Sequence, residues 1–206
     1  MKNAFKIIVA LLVVGSFAFV APKDSKSKQI TVVIDAGHGG KDDGMKIDDV
    51  SEKEIILNIT KKIKFQNKDK DIVIHLTRND DEFVSLQDRT NLINKIKPDL
   101  VLSLHVNGIK NETASGIEFF INNENPNYEE SKAIAEKLNA KMVKNHSLKS
   151  RGLKEARIFL LRKSEAPAVN VELGFLSNPN DRKFLTDEKQ QSRIASTILE
   201  VITEMK

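Results

Sequence analysis

The chain reads as an α/β protein: a three-layer α/β/α sandwich on a mostly parallel, twisted sheet, forming a single domain after a signal peptide. Two observations carry that prediction. Apolar runs of strand length alternate with longer segments of helical period. The short runs are near-continuous in Val, Ile and Leu, which is the composition of strands covered on both faces by helices. A length of 206 residues suffices for one domain with a sizeable core.

Residues 1–21, MKNAFKIIVALLVVGSFAFVA, place Lys2 and Lys6 ahead of an apolar run from Ile7 to Ala21. A positive start, an apolar centre and the small-x-small stretch Ser16-Phe17-Ala18 describe a secretory signal peptide, with an uncleaved anchor as the alternative. The run is shorter than the roughly 20 residues a spanning helix takes. Residues 22–29, PKDSKSKQ, form a polar linker, and residues 30–206 form the folded domain.

The domain opens on the strand ITVVIDA (30–36). A helix follows near Ser51, where SEKE reads as a capping box with Ser51 at the N-cap and Glu54 reaching back. DIVIHLTR (71–78) is a strand, and SLQDRTNLINKI (85–96) a helix with Leu86, Leu92, Ile93 and Ile96 on one face. PDLVLSLHVN (98–107) and GIEFFIN (116–122) are strands. No helix precedes the second of these, so an antiparallel or edge position is expected for it. YEESKAIAEKLNAKMVKN (128–145) is a helix with Ile134, Leu138 and Met142 in one stripe. ARIFLLR (156–162) and APAVNVELG (166–174) read as strands, and DEKQQSRIASTILEVITEM (187–205) as the last helix.

Composition narrows the function. Aromatics make up 5%, with no Trp and one Tyr, which leaves few stacking platforms for single-stranded nucleic acid. Basic and acidic residues interleave, so no DNA-binding stripe stands out. Loss of Lys2 and Lys6 with the signal would lower the formal charge from +4 to +2. With no cysteine there is no disulfide, no thiolate metal site and no lipidated Cys.

In parallel sheets, ligands bind beyond the C-terminal ends of the strands. His38 follows TVVIDA, His105 follows DLVLSL, and Glu172 ends APAVNV. The glycines around His38 do not fit a dinucleotide fingerprint or a P-loop, and Asp42 and Asp43 would repel a phosphate. Two readings remain: a turn whose histidine is incidental, with His105 a polar residue finishing its strand, or a metal site in which the two strand-end histidines are joined by Glu52 from the first turn of the helix as a His₂Glu set. Glu52 can equally be a carboxylate placed against the helix dipole. Glu172 stands among apolar neighbours, which would raise its pKa toward a range useful for proton transfer; otherwise it pairs with Arg78 or Arg162. His75 reads as structural. His146 reads as a solvated residue after a helix, nearer to a substrate than His75. Asn107 is placed either to orient substrate or a ligand histidine, or simply to make a turn.

The segments IDAGHGGKDDG, SEKEIILNIT, LTRNDDEFVSLQDRTNLIN, PDLVLSLHVNG, SGIEFFI, SRGLKEARIFLLR and PAVNVELGFLSNPNDRKFL resemble, in order and spacing, the zinc-dependent N-acetylmuramoyl-L-alanine amidases of the type-3 group. The resemblance implies an α/β/α sandwich that cuts peptidoglycan between N-acetylmuramic acid and L-alanine. It implies one zinc per chain held by His38, Glu52 and His105, with Glu172 as acid–base. Asp43 departs from the commoner non-acidic residue at its position, with no expected effect on the metal. Some members carry a helical plug over the zinc; between GIEFFI and ARIFLLR there is little room for one. No wall-binding repeat is visible, so targeting would fall to a partner or activator protein, the groove or a retained anchor. A monomer with no nucleic-acid partner and no obligate membrane partner is expected, exported to a periplasm or the cell surface. The rival readings are a zinc peptidase or deacetylase acting on another bond of the same polymer, and a binding module without chemistry.

Overall fold

The computed structural model describes residues 29–146 and 148–206. The expected signal peptide and all but the last residue of the linker lie outside the described residues. In chain order the elements are β1 (Ile30–Ala36), β2 (Lys46–Ile47), β3 (Val50–Ser51), α1 (Glu52–Gln66), β4 (Ile72–Leu76), α2 (Leu86–Ile96) and β5 (Leu100–Asn107). Then come β6 (Ile117–Ile121), α3 (Tyr128–Asn145), β7 (Ser150–Glu155), α4 (Phe159–Lys163), β8 (Ala168–Phe175), α5 (Pro179–Thr186) and α6 (Glu188–Thr203).

Six strands form one sheet in the order β4-β1-β5-β8-β6-β7, and β2 pairs with β3 in a separate hairpin. β4, β1, β5 and β8 run parallel, and β6 joins β8 antiparallel, as expected for a strand without a crossover helix. β7 then lies parallel to β6 at the edge.

Alternation along the strands separates the two faces. Val32, Ile34, Leu100, Leu102, Leu104, Val169, Val171, Ile117 and Phe119 enter the larger core, against α1, α3 and α6. Val33, Val101 and Ala168 enter a smaller core with Ile93 of α2 and Leu160 and Leu161 of α4. Toward the C-terminal ends of the strands, this second face carries Asp35, Ser103, His105, Asn170, Glu172 and Glu118, in register with one another. One period-2 pattern therefore supplies an apolar floor at one end and a polar row at the other.

Some expectations need correction. ARIFLLR is not a strand; Phe159–Lys163 is a short helix whose Leu160 and Leu161 fill the smaller core. An apolar run this short satisfies either geometry, and burial under α2 decides it. The neighbouring strand is instead β7, SRGLKE, which lacks apolar alternation because it is an edge strand with half-exposed side chains. Ser51 is the N-cap of α1, but its side chain makes no capping bond, so the capping box does not form. Leu86 is 56% exposed and leaves the buried stripe of α2, which is made by Arg89, Thr90 and Ile93. The helix α5 arises from signals that the periodicity argument passed over: Asn178 caps it, and Pro179 opens it.

Candidate metal centre

His38 stands just past β1, His105 on β5 and Glu52 at the first position of α1. The hairpin β2–β3 brings the start of α1 back over the end of β1, with Glu52 N donating to the Met45 carbonyl. His105 Nδ1 lies 2.9 Å and His38 Nε2 lies 3.2 Å from the same oxygen, Glu52 Oε1. One ligand atom from each of the three residues lies within 4.8 Å of the others, and among the described residues this is the one such group. Neighbouring ligands of a tetrahedral zinc stand about 3.4 Å apart, so the spacing and the donor types both fit that ion.

The supporting contacts fix each donor. Glu52 Oε1 also accepts from Val106 N at 3.0 Å, and Oε2 from Met45 N at 2.8 Å. His38 Nδ1 lies 2.9 Å from Asp42 Oδ2, a carboxylate that orients the ring and its tautomer. Two glycines make the approach possible. A Cβ on Gly37 would overlap the His105 imidazole, and a Cβ on Gly44, at φ 63°, would stand 2.5 Å from Glu52 Oε2.

Two buried arginines hold the loop that carries His38. Arg78 donates from Nε to the Ala36 carbonyl at 3.0 Å and from Nη2 to the carbonyls of Gly37 at 2.8 Å and Lys53 at 2.9 Å. Arg89 donates from Nη1 to Asp35 Oδ1 at 2.7 Å and from Nη2 to the His38 carbonyl at 2.6 Å. Asp35 also accepts from Thr77 and Ser103, each at 2.7 Å. Burial opposes its ionisation, yet the Arg89 charge and these hydrogen bonds hold its pKa below the ordinary value.

The local field favours positive charge where the three donors meet. Burial disfavours a charged His38, but the hydrogen bonds and charges of Glu52 and Asp42 outweigh it and raise its pKa to about 9. His105 is also raised, because Glu52, Glu172 and Asp35 overcome its burial. Glu52 itself is buried, and the two imidazoles keep its carboxyl well below the usual range. A field that retains protons on two imidazoles also suits a divalent cation.

Glu172 is paired in register with His105 across β5 and β8. Burial pushes its carboxyl up, against the opposing charge of His105. Its Oε1 accepts from Asn170 Nδ2 at 3.1 Å. The groups that act on Glu172 are His105, Glu52, Asn170 and Glu118, and the Arg78 guanidinium is spent on backbone carbonyls instead. His38, His105 and Glu172 line a groove of about 500 Å³ whose apolar side is made by Phe83, Val84, Leu86 and Ile158.

Asn107 touches no ligand histidine: its Nδ2 donates to Glu118 Oε2 at 3.0 Å, and its Oδ1 accepts from Gly108 N at 2.8 Å. His75 is exposed on β4. His146 corrects the expectation of a solvated residue. It is 4% exposed, with Nε2 3.0 Å from Thr197 Oγ1, held between α3 and α6 in the layer away from the groove. The residues that sequence reasoning missed are Arg89, Glu118, Arg151 and Lys154. The one available signal was the charge of Glu118 inside the apolar run GIEFFIN; Arg89, Arg151 and Lys154 offered none.

Residues 32–204 match the family described as N-acetylmuramoyl-L-alanine amidase. A crystal structure of N-acetylmuramoyl-L-alanine amidase from Clostridium difficile 630 is 36% identical, covering 86% of this chain and 97% of that one, with a TM-score of 0.81. The CwlD amidase from Clostridioides difficile, solved in complex with the GerS lipoprotein, is 28% identical, covering 85% and 97%, with a TM-score of 0.78. The probable cell wall amidase LytH of Staphylococcus saprophyticus is 31% identical over 87% of this chain, which spans 59% of that relative's length. With the fold, the clustered donors and these likenesses in agreement, the chain belongs to the N-acetylmuramoyl-L-alanine amidase family.

Proposed function

We propose that this protein hydrolyses the amide between N-acetylmuramic acid and the L-alanine of the stem peptide in bacterial peptidoglycan, with one zinc ion held by His38, Glu52 and His105. The observation that carries the reading is three convergent donor atoms within 4.8 Å, beside a carboxylate raised by burial on the same sheet face. When bound there, zinc supplies Lewis acidity that polarises a carbonyl and lowers the pKa of water toward about 7.

The chain's own residues perform the proton work. Glu172 accepts a proton from the attacking water as the new C–O bond forms at the lactyl carbonyl carbon. It then delivers that proton to the L-alanine nitrogen as the C–N bond breaks. The products are a muramoyl carboxylate and a peptide with a free amino terminus. Burial of Glu172 serves both steps, since a carboxylate of raised pKa is the stronger base in the first and holds the proton until the amine leaves.

Export by residues 1–21 belongs to the same proposal, supported by the cell-wall description of LytH. The complex of CwlD with the GerS lipoprotein supports a partner protein for this chain. Between β6 and β7 the described helix is α3, packed against α6 in the layer away from the groove. Purified protein is therefore expected to act on isolated walls without an activator.

Mass analysis of digested sacculi tests the bond. Free muramoyl carboxylates with new L-alanine amino termini are expected; cleavage within the stem would make the protein a peptidase, released acetate a deacetylase, and no turnover a binding module. Metal content tests the site. Glu52→Ala and His105→Ala should each lose the equivalent of zinc that Glu172→Ala retains, while Glu172→Ala loses about 10²- to 10⁴-fold in turnover. Retention of tightly bound zinc by both ligand variants would overturn the ligand set.

A further inference from the structure

The polar row on the open face does not end at Glu172. Glu118 of β6 is its register partner across the antiparallel pair, which places the two Cα atoms about 5 Å apart with both side chains on the same face. Glu118 is 3% exposed and already satisfied: Oε2 accepts from Asn107, and Oε1 from Arg151 Nε and, at 2.7 Å, from Lys154 Nζ. One buried carboxylate is thus met by two cations, whose side chains stay 33% and 44% exposed.

That both cations reach one carboxylate is a constructed feature of β7. Residues three apart in a regular strand point to opposite faces. Here the register runs Ile117 to Ser150 and Phe119 to Leu153, so β7 carries one extra residue opposite β6. Gly152 lies in this bulge at φ 81°, a conformation that favours glycine, and its N–H is bonded to Ser150 Oγ at 3.0 Å. The bulge turns Arg151 back to the face that Lys154 occupies. The Arg151 guanidinium also lies 5.0 Å from the Phe175 ring centroid, which limits its swing.

We propose that Arg151 and Lys154 form an anion subsite that binds a free carboxylate on the peptide side of the scissile amide. Glu118 neutralises one cation, and the surplus positive charge, drawn from β7 onto Glu118, sits beside the register partner of Glu172 with part of its surface in solvent. A carboxylate on the residue after L-alanine lies within about 7 Å of the scissile nitrogen, which matches that reach. The natural occupant is a glutamyl residue linked through its side-chain carboxyl, with its α-carboxyl free. Both cations are specificity residues, and neither takes part in bond cleavage. The inference rests on the amidase reading above.

The test compares two soluble substrates, N-acetylmuramoyl-L-alanyl-γ-glutamate with a free α-carboxylate and the same compound with that carboxyl amidated. The zinc-loaded native protein is expected to favour the free acid about tenfold in kcat/KM, chiefly through KM, and less at high salt. The double variant Arg151→Gln/Lys154→Met should bring the ratio near one, whereas Lys154→Arg should keep most of it. If the native protein cleaves both compounds at the muramoyl–alanine bond with equal KM, the subsite is refuted while the amidase reading stands. Persistence of the tenfold preference in the double variant would also refute it. Failure to cut either compound at that bond would instead bring down the amidase reading on which the subsite rests.

Discussion

The two ends of the polar row are held in different ways. Toward β1, the His38 loop is fixed by fully buried groups: Arg78 and Arg89 saturate the carbonyls of residues 36–38, and Asp35 is closed in by Arg89, Thr77 and Ser103. Toward β7, a buried carboxylate is met by two cations that keep a third to nearly a half of their side-chain surface in solvent. A metal centre needs its donors positioned before the ion arrives, and buried, fully paired charges provide that rigidity. A subsite for a mobile anion needs charge that stays accessible. The first arrangement should therefore matter for folding and metal affinity, the second for substrate choice.

The largest expected effect breaks the rigid end. Arg89→Leu leaves Asp35 buried without its cation and the His38 carbonyl without its donor, so a loss of about 3–5 kcal/mol is expected in urea unfolding. A loss below about 1 kcal/mol would show that the clamp is ornamental. Asp42→Asn keeps the hydrogen-bond geometry near His38 but removes the orienting charge. Competition with a chromophoric chelator should then show zinc affinity weakened about 10- to 100-fold.

A pH series separates the two ends further. Asp35 and Glu118 both have pKa values held below their ordinary 3.8 and 4.5. Burial works against each, and Arg89 in one case, Arg151 and Lys154 in the other, overcome it. A depressed folded pKa gives stability that is present above the unfolded value and lost as pH falls through the folded one. Thermal melts should therefore decline below about pH 4, and Asp35→Asn should flatten that decline more than Glu118→Gln, since the cations that meet Glu118 stay partly in solvent whereas Arg89 is buried. Smallest of all, Arg151→Gln should change stability by no more than about 1 kcal/mol, as half-exposed ion pairs usually do. A larger loss would place the edge end with the clamp and blur the distinction.

Much of this architecture could be read from local pattern. Strand-length Val/Ile/Leu runs and helical periods gave the layers, and the polar residues interrupting those runs marked the face where the donor cluster stands, because alternation reports directly which side of a strand meets the core. His38, His105 and Glu172 followed from the rule that parallel sheets gather ligands at their C-terminal ends. Glu52 did not follow so cleanly, since a first-turn acid serves a helix dipole equally well; the return of the β2–β3 hairpin brings it under both imidazoles.

The remainder depended on partners far apart in the chain. Arg89 meets Asp35 and the His38 carbonyl more than 50 positions away, and nothing in its own helix distinguishes it from a surface arginine. FLL in ARIFLLR had no period to read, and its helix is fixed by the space beneath α2. Arg151 and Lys154 lie on the same face because β7 carries an extra residue relative to β6, and a bulge exists only between two paired strands. Periodicity records how each residue meets the core. Which charge answers which carbonyl or carboxylate is settled when strands distant in sequence come into register.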